Sequence, residues 1–260
     1  DFRNLFLQSL RRYFNKSKFT LIDDGFYTFV AQENYLKNGI YLPIKNFNNF
    51  SGKVAKFLYF GPSFERLKNT SFKLFSIYAD EINNNFAEMN YLEWIKGRID
   101  LNKIKFDDNK VYFIGTGMVE FGTVELEQEL GLLKELKLYW QKKGKEIYYV
   151  GKRRTSIEKL NTFNKHGIKT LLYDLPLELV ITEINPIPVH YVTLGSTLQK
   201  SLSLIFGDRI KCYYVNFEEF LRKSKNLKST IFLDDVAIAA NYYSKKSPNV
   251  QILNFEEFVS

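Results

Sequence analysis

From residue 110 to about residue 221, short runs rich in β-branched and aromatic residues alternate with amphipathic stretches of helical period. Lys110-Val111-Tyr112-Phe113-Ile114 reads as a buried strand that stops at Gly115-Thr116-Gly117. Thr123 is then expected to cap a helix with Leu126, Leu130, Leu133, Leu136 and Trp140 on one stripe and Gly144 as its stop. Its early acids and late lysines suit the helix dipole. Glu146-Ile147-Tyr148-Tyr149-Val150 forms a second strand ending at Gly151-Lys152-Arg153-Arg154. Residues 156–166 read as a helix closed by Gly167, residues 169–173 as a third strand, and Pro176 as the opening of a short helix. Residues 190–194 give a fourth strand, followed by Gly195-Ser196-Thr197 and a helix to about Phe206. Residues 210–215 give a fifth strand, with Asn216 capping a further helix over 217–221. Alternation of this length implies an α/β fold with a parallel sheet covered by helices on both faces.

Ligands of such sheets bind beyond the carboxyl ends of the strands. That rule selects four turns: 115–117, 151–154, 175–178 and 195–197. The turn Gly115-Thr116-Gly117 is similar to a dinucleotide-binding turn, but Glu120 stands where the third glycine belongs. The next strand also lacks the terminal acid that would hold a ribose, which argues against a nicotinamide cofactor. The glycines are expected to admit a nucleotide or acceptor to the backbone, or simply to make a tight turn. Ser196 and Thr197 begin a helix, where backbone N–H groups and hydroxyls favour an anion; plain capping is the alternative. Lys152, Arg153 and Arg154 end a strand and would make charge-assisted contacts to a phosphate, or form a solvated basic loop. Glu120 and the Asp23-Asp24 pair are the acids nearest the expected cleft, and either would serve as general base toward a hydroxyl. His166 reads as a helix-terminal histidine and His190 as structural; neither has the partners of a zinc site, and no metal is expected.

Residues 1–106 are less regular. A helix over 2–14 leads to the strand Phe19-Thr20-Leu21-Ile22 and the turn Asp23-Asp24-Gly25, and the segment 101–109 is the best connection between two domains, 1–106 and 107–260. The chain begins Asp1-Phe2-Arg3 without an initiator Met and reads as the middle of a helix, so preceding residues are expected. Among 260 residues there is one cysteine, Cys212, which excludes an internal disulfide framework, fits a cytoplasmic protein, and reads as a buried strand thiol. No apolar stretch approaches membrane-spanning length. The net charge of +8 is spread among acids, so no nucleic-acid partner is expected, and an anionic small-molecule donor or an anionic membrane surface would use the bias equally well.

Taken in order, these motifs resemble the bacterial sialyltransferases of glycosyltransferase family 52, the lipooligosaccharide sialyltransferases, and more distantly the polysialyltransferases. Ile22-Asp23-Asp24-Gly25 matches an acidic Asp/Glu-Asp/Glu-Gly motif of the family, and 29–36 fits the same stretch loosely. Phe113-Ile114-Gly115-Thr116-Gly117-Met118-Val119-Glu120 resembles the opening of its second domain. Tyr148-Tyr149-Val150-Gly151-Lys152-Arg153-Arg154 partly matches a Pro-His-Arg-Arg type motif. Pro176-Leu177-Glu178 resembles an element associated with the donor ribose, and Ser196-Thr197 a pair associated with its phosphate.

The resemblance implies a GT-B-like fold of two Rossmann-type domains facing across a cleft, with a shortened acceptor-side N-terminal domain and a C-terminal donor-binding domain. It implies inverting transfer of sialic acid, or a related nonulosonic acid, from a CMP-activated donor to a terminal sugar of a lipooligosaccharide or capsule. Glu120 or Asp24 would be the base. Lys152, Arg153, Arg154, Ser196 and Thr197 would face the phosphate, with Gly115, Thr116, Gly117, Pro176 and Glu178 completing the donor site. No cofactor or metal is implied; the partners are donor and acceptor, with peripheral contact to the inner membrane and a homodimer both compatible. The chain departs from the pattern at two positions, with Gly151 in place of Pro and Lys152 in place of His. A non-catalytic nucleotide-sugar or glycan-binding relative, and a GT-B transferase using a UDP- or GDP-sugar, remain alternatives.

Overall fold

The computed structural model describes residues 19–22, 54, 72–81, 87–120, 122–216, 241–242, 250–254 and 256–259. The chain divides into two compact units, Asp1–Tyr91 and Leu92–Ser260. In the first, strands β1 (Phe19–Ile22), β2 (Phe72–Ser76) and β3 (Ala87–Met89) pair in parallel in the order β1-β2-β3. Leu74, Ser76, Ile77 and Tyr78 are buried there. The turn Asp23-Asp24-Gly25 and the helix expected over 2–14 lie outside the described residues, as does the one expected over 217–221.

The second unit carries the alternation read from the sequence. After a short helix α1 (Glu93–Lys96) come β4 (Phe106–Ile114), α2 (Leu126–Lys142), β5 (Glu146–Gly151), α3 (Ile157–Lys165) and β6 (Lys169–Leu172). Then follow α4 (Leu177–Val180), β7 (Ile187–Thr193), α5 (Leu198–Phe206), β8 (Lys211–Asn216), β9 (Val250–Asn254) and α6 (Glu256–Val259). All six strands pair in parallel, in the order β6-β5-β4-β7-β8-β9. Counted within the unit this is 3-2-1-4-5-6, the Rossmann-like order, in which the chain reverses its direction of winding between β4 and β7. The segment 101–109 is tied into this unit. Ile187 N–H donates to Lys105 O at 2.8 Å, and Arg209 reaches Leu101 O at 2.9 Å.

Side chains alternate across the sheet with period two. Val111 and Phe113 of β4, Ile147 and Tyr149 of β5, Val192 of β7 and Tyr213 of β8 share one core with Leu130, Leu133, Leu136 and Trp140 of α2, Phe163 of α3 and Phe258 of α6. Tyr112, Tyr191 and Cys212 point the other way, where the Cys212 thiol lies 3.9 Å from Gln199 O on α5. Burial pushes that thiol up to about 12, so it fits the inert strand cysteine expected from the sequence.

The helix ends follow local chemistry, with one correction. Gly144 and Gly167 take positive φ just past α2 and α3, as expected of C-terminal stops. The cap of α2 is Glu125 and not Thr123: Glu125 and Gln128 form a reciprocal capping box, with the Glu125 N–H donating to Gln128 Oε1 at 2.9 Å. The Thr123 N–H is already used by Met118 O at 2.7 Å.

Candidate functional site at the carboxyl edge of the six-stranded sheet

Between β4 and β7 the helices of neighbouring crossovers leave to opposite faces, which opens a crevice beyond Ile114 and Thr193. The turns after β7, β4, β5 and β6 follow one another along this edge. With adjacent strands about 4.8 Å apart, they span roughly 14 Å.

The turn after β4 is shaped by packing. The Gly115 N–H donates to Val150 O at 2.8 Å. A Cβ at Gly115 would overlap the Tyr149 hydroxyl and stand 2.6 Å from Tyr149 Cζ, so the glycine makes room for that ring. The Thr116 hydroxyl oxygen is buried with no hydrogen-bond partner among the described residues, an arrangement folded proteins seldom leave unmet. Gly117 and buried Met118 lead to Glu120, whose carboxylate keeps 17% exposure and receives Lys159 Nζ at 3.3 Å on both oxygens.

Across the crevice, the Thr193 hydroxyl accepts the N–H groups of Gly195 and Ser196 at 3.1 and 3.2 Å. Ser196 is buried, and its hydroxyl accepts the Leu198 N–H at 3.3 Å. Several donors expected to greet an anion are therefore spent on the turn itself. Thr197 stands at the helix start without a side-chain capping bond.

The turn after β5 is locked by Thr155, which accepts the Lys152 N–H on its hydroxyl at 2.9 Å and donates its own N–H to Lys152 O at 2.8 Å. The Lys152 side chain keeps exposed surface while its ammonium is partly shielded by surrounding protein. That desolvation pulls its pKa below the usual lysine value, and the Glu178 and Glu120 carboxylates oppose the fall. Two of the acids singled out on other turns, Glu120 and Glu178, thus bear on Lys152. Arg153 and Arg154 are exposed, with no ion pair among the described residues. Pro176 caps α4 from its N-cap position, one residue before the helix and outside the first turn expected of it, and Glu178 follows half-buried within it. Asp24 lies outside the described residues.

The sequence reading missed the polar core beneath this edge. Lys159 is 1% exposed and pairs with Glu129, also 1% exposed, at 2.7 Å as well as with Glu120. The Tyr149 hydroxyl donates to Glu129 Oε1 at 3.3 Å, and Lys159 Nζ lies over the Tyr149 and Phe163 rings at 5.5 and 5.8 Å. Burial pushes the Glu129 carboxyl above the usual range; Lys159 works against that and Glu120 adds to it. A signal was present: Lys159 sits four residues before Phe163, and Glu129 four before Leu133. Each charge therefore lies on an apolar stripe, where a lone charge is costly. No three His, Cys, Asp or Glu side chains among the described residues converge as metal ligands would. His166 caps α3 and bonds Thr162 O at 2.9 Å; His190 is buried between Asp108 and Tyr213 in the middle of β7.

The unit of residues 92–260 is thus a Rossmann-like α/β protein with a charged crevice edge. The sequence matches the Alpha-2,8-polysialyltransferase (POLYST) family over residues 3–198, from before β1 to the start of α5. That is well over half of the chain, and the chain belongs to this family, which makes it a sialyltransferase-type glycosyltransferase. The family is the one the sequence motifs resembled more distantly. No curated protein matches the chain.

Proposed function

We propose that this protein transfers sialic acid, or a related nonulosonic acid, from a CMP-activated donor to a terminal sugar of a bacterial surface glycan. The observation that supports the proposal is the placement of Glu120, Lys152 and Glu178 after neighbouring strands at the carboxyl edge of the sheet, with both carboxylates bearing on the lysine, in a chain of this family. In this reading Glu120 accepts the proton of the acceptor hydroxyl, with Asp24 as the other candidate base from the N-terminal, acceptor-side region. The acceptor oxygen attacks the anomeric carbon from the face opposite CMP. The bond from that carbon to the phosphate oxygen breaks, and its electron pair leaves with CMP, inverting the centre. Lys152, aided by Arg153, Arg154 and Thr197, stabilises the departing phosphate. Glu178 meets the ribose, and the Thr116 hydroxyl finds its missing partner on the bound donor. The pair of regions works as a GT-B-like transferase without metal or cofactor. The reaction belongs to the cytoplasm, with the net charge of +8 favouring an anionic membrane surface.

The test is a thermal-shift panel of CMP, CMP-sialic acid, UDP-sugars, GDP-sugars and NAD, with product analysis. A ligand at a hundred times its Kd stabilises by about 2.7 kcal/mol. Stabilisation by CMP with sialylated product supports the proposal. A CMP response without turnover would mark a binding relative, a response confined to UDP- or GDP-sugars another transferase, and silence toward CMP would sink the donor assignment.

A further inference from the structure

Lys159 stands at the third position of α3, counted from the Ser156 cap that accepts its N–H at 3.2 Å. A cation in the first turn opposes the helix dipole, and this one is also buried. Neither helix propensity nor solvation would put a lysine there. What compensates it is a carboxylate on each side, Glu129 of α2 at 2.7 Å and Glu120 of the β4–α2 turn at 3.3 Å. The two differ in a telling way. Glu129 is sealed, whereas Glu120 keeps a face open at the crevice edge. One buried ammonium is therefore shared between an interior carboxylate and an edge carboxylate.

We infer that Lys159 and Glu129 are positioning residues for Glu120: the ammonium fixes the orientation and charge of the edge carboxylate, and Glu129 sets how much of that charge is left for it. This rests on the reading of Glu120 as the base. The charged and titratable groups facing Glu120 are Lys159 from α3, Glu129 from α2, Tyr149 from β5 and Lys152 from the turn after β5. Glu178 of α4 bears on Lys152. Lys159 is divided, so the two near-isosteric substitutions have opposite consequences. Lys159→Met removes the positive charge and leaves two carboxylates facing each other, which makes Glu120 harder to ionise. Glu129→Gln removes the competing negative charge and leaves the ammonium to Glu120 alone, which makes it easier to ionise.

The experiment follows the Glu120 side-chain carboxyl by carbon-13 NMR across pH, assigned by its loss in Glu120→Gln. The pH dependence of transfer from CMP-sialic acid is measured on the same proteins. The titration of Glu120, and the acid limb of kcat, should move up in Lys159→Met and down in Glu129→Gln, because one variant removes the shared cation and the other its competing anion. At fixed neutral pH, kcat of Lys159→Met should fall several-fold because the carboxylate loses the ion pair that orients it, with the donor KM nearly unchanged, and Lys159→Arg should restore much of it. Should Lys159→Met fail to fold, Glu129→Gln and Lys159→Arg carry the test. Movement in the same direction in both variants, or no movement in a folded Glu129→Gln, would overturn the inference. A wild-type protein that shows no transfer would overturn the functional reading instead, and the carboxyl titrations still decide whether the coupling exists.

Discussion

Gly115→Ala tests the packing beneath the crevice. Gly115 does not have positive φ, so its backbone would tolerate alanine; the obstacle is Tyr149. The new Cβ would stand 2.6 Å from Tyr149 Cζ and 3.1 Å from Cε2. Non-bonded carbons rest at about 3.5–4.0 Å, so the ring would have to retreat by about 1 Å. It has nowhere to go, being fully buried with Phe113 stacked at 5.9 Å between centroids and Phe163 edge-on at 4.8 Å. Its hydroxyl is also engaged with Glu129. Overpacking of this kind costs about 1–3 kcal/mol. For a domain of this size that is roughly 2–12 °C in Tm. Urea unfolding followed by circular dichroism gives the loss directly. Gly131→Ala is the control: it lies in α2 with nothing within 4 Å of a new Cβ, and should stabilise by about 0.5–1 kcal/mol. Adding Tyr149→Leu should make the double variant less unstable than the summed single losses by about 0.5 kcal/mol or more. A Gly115→Ala protein as stable as the wild type would refute the assignment of this glycine to packing.

Two further outcomes follow from the charged groups. Burial holds the His190 pKa below its ordinary value despite Asp108, so the unfolded chain takes the proton more readily. Stability should be full above about pH 6.5 and decline as pH falls through and below that value; His190→Gln should flatten the slope, and an unchanged slope in urea midpoints would contradict this. The hydrogen bonds to Asp108 from Lys145 and then His190 hold its carboxyl low, which adds a further loss below about pH 4. Lys152→Ala should lower kcat for transfer about 10²–10³-fold with fold and CMP-independent stability retained, and full activity in that variant would remove Lys152 from the reaction.

The fold was legible where a local signal decides it. Hydrophobic runs bounded by Gly144, Gly167 and the Ser156 cap located strands and helices, because those residues act within a turn of their own position. The strand order was not legible, since no residue of β9 announces that it pairs with β8 and not with β6. The cap of α2 misled for a similar reason. Thr123 is the better cap by type, but a turn within 118–124 uses its N–H, and Glu125 succeeds only because Gln128 answers it. At the sheet edge, the strand-end rule singled out Glu120, Lys152 and Glu178 one by one, and could not show that both carboxylates bear on the lysine. It gave Gly115 to a ligand or a turn when a tyrosine from the next strand claims the space. Lys159 and Glu129 escaped notice because each was judged on its own helix, and only the pair makes burial of either tolerable.

The exchange of histidine for Lys152 bears on which kind of catalysis the edge supports. A histidine there would hold a proton that it can pass to a leaving phosphate oxygen near neutral pH. The phosphate of a nucleoside monophosphate has a second pKa near ~6, so at neutral pH it departs as a stable anion whether or not a proton is delivered. What the reaction needs is a positive charge where negative charge grows. Lys152 supplies one under opposing influences: partial burial weakens its hold on the proton, and Glu178 and Glu120 strengthen it. A bound phosphate adds a further negative charge at short range and tips the balance toward the ammonium form. In the proposed reaction lysine would therefore keep the electrostatic part of the role and give up the proton transfer. On the proposed reading, the acid–base work would then fall to Glu120, which the buried pair behind it holds in place.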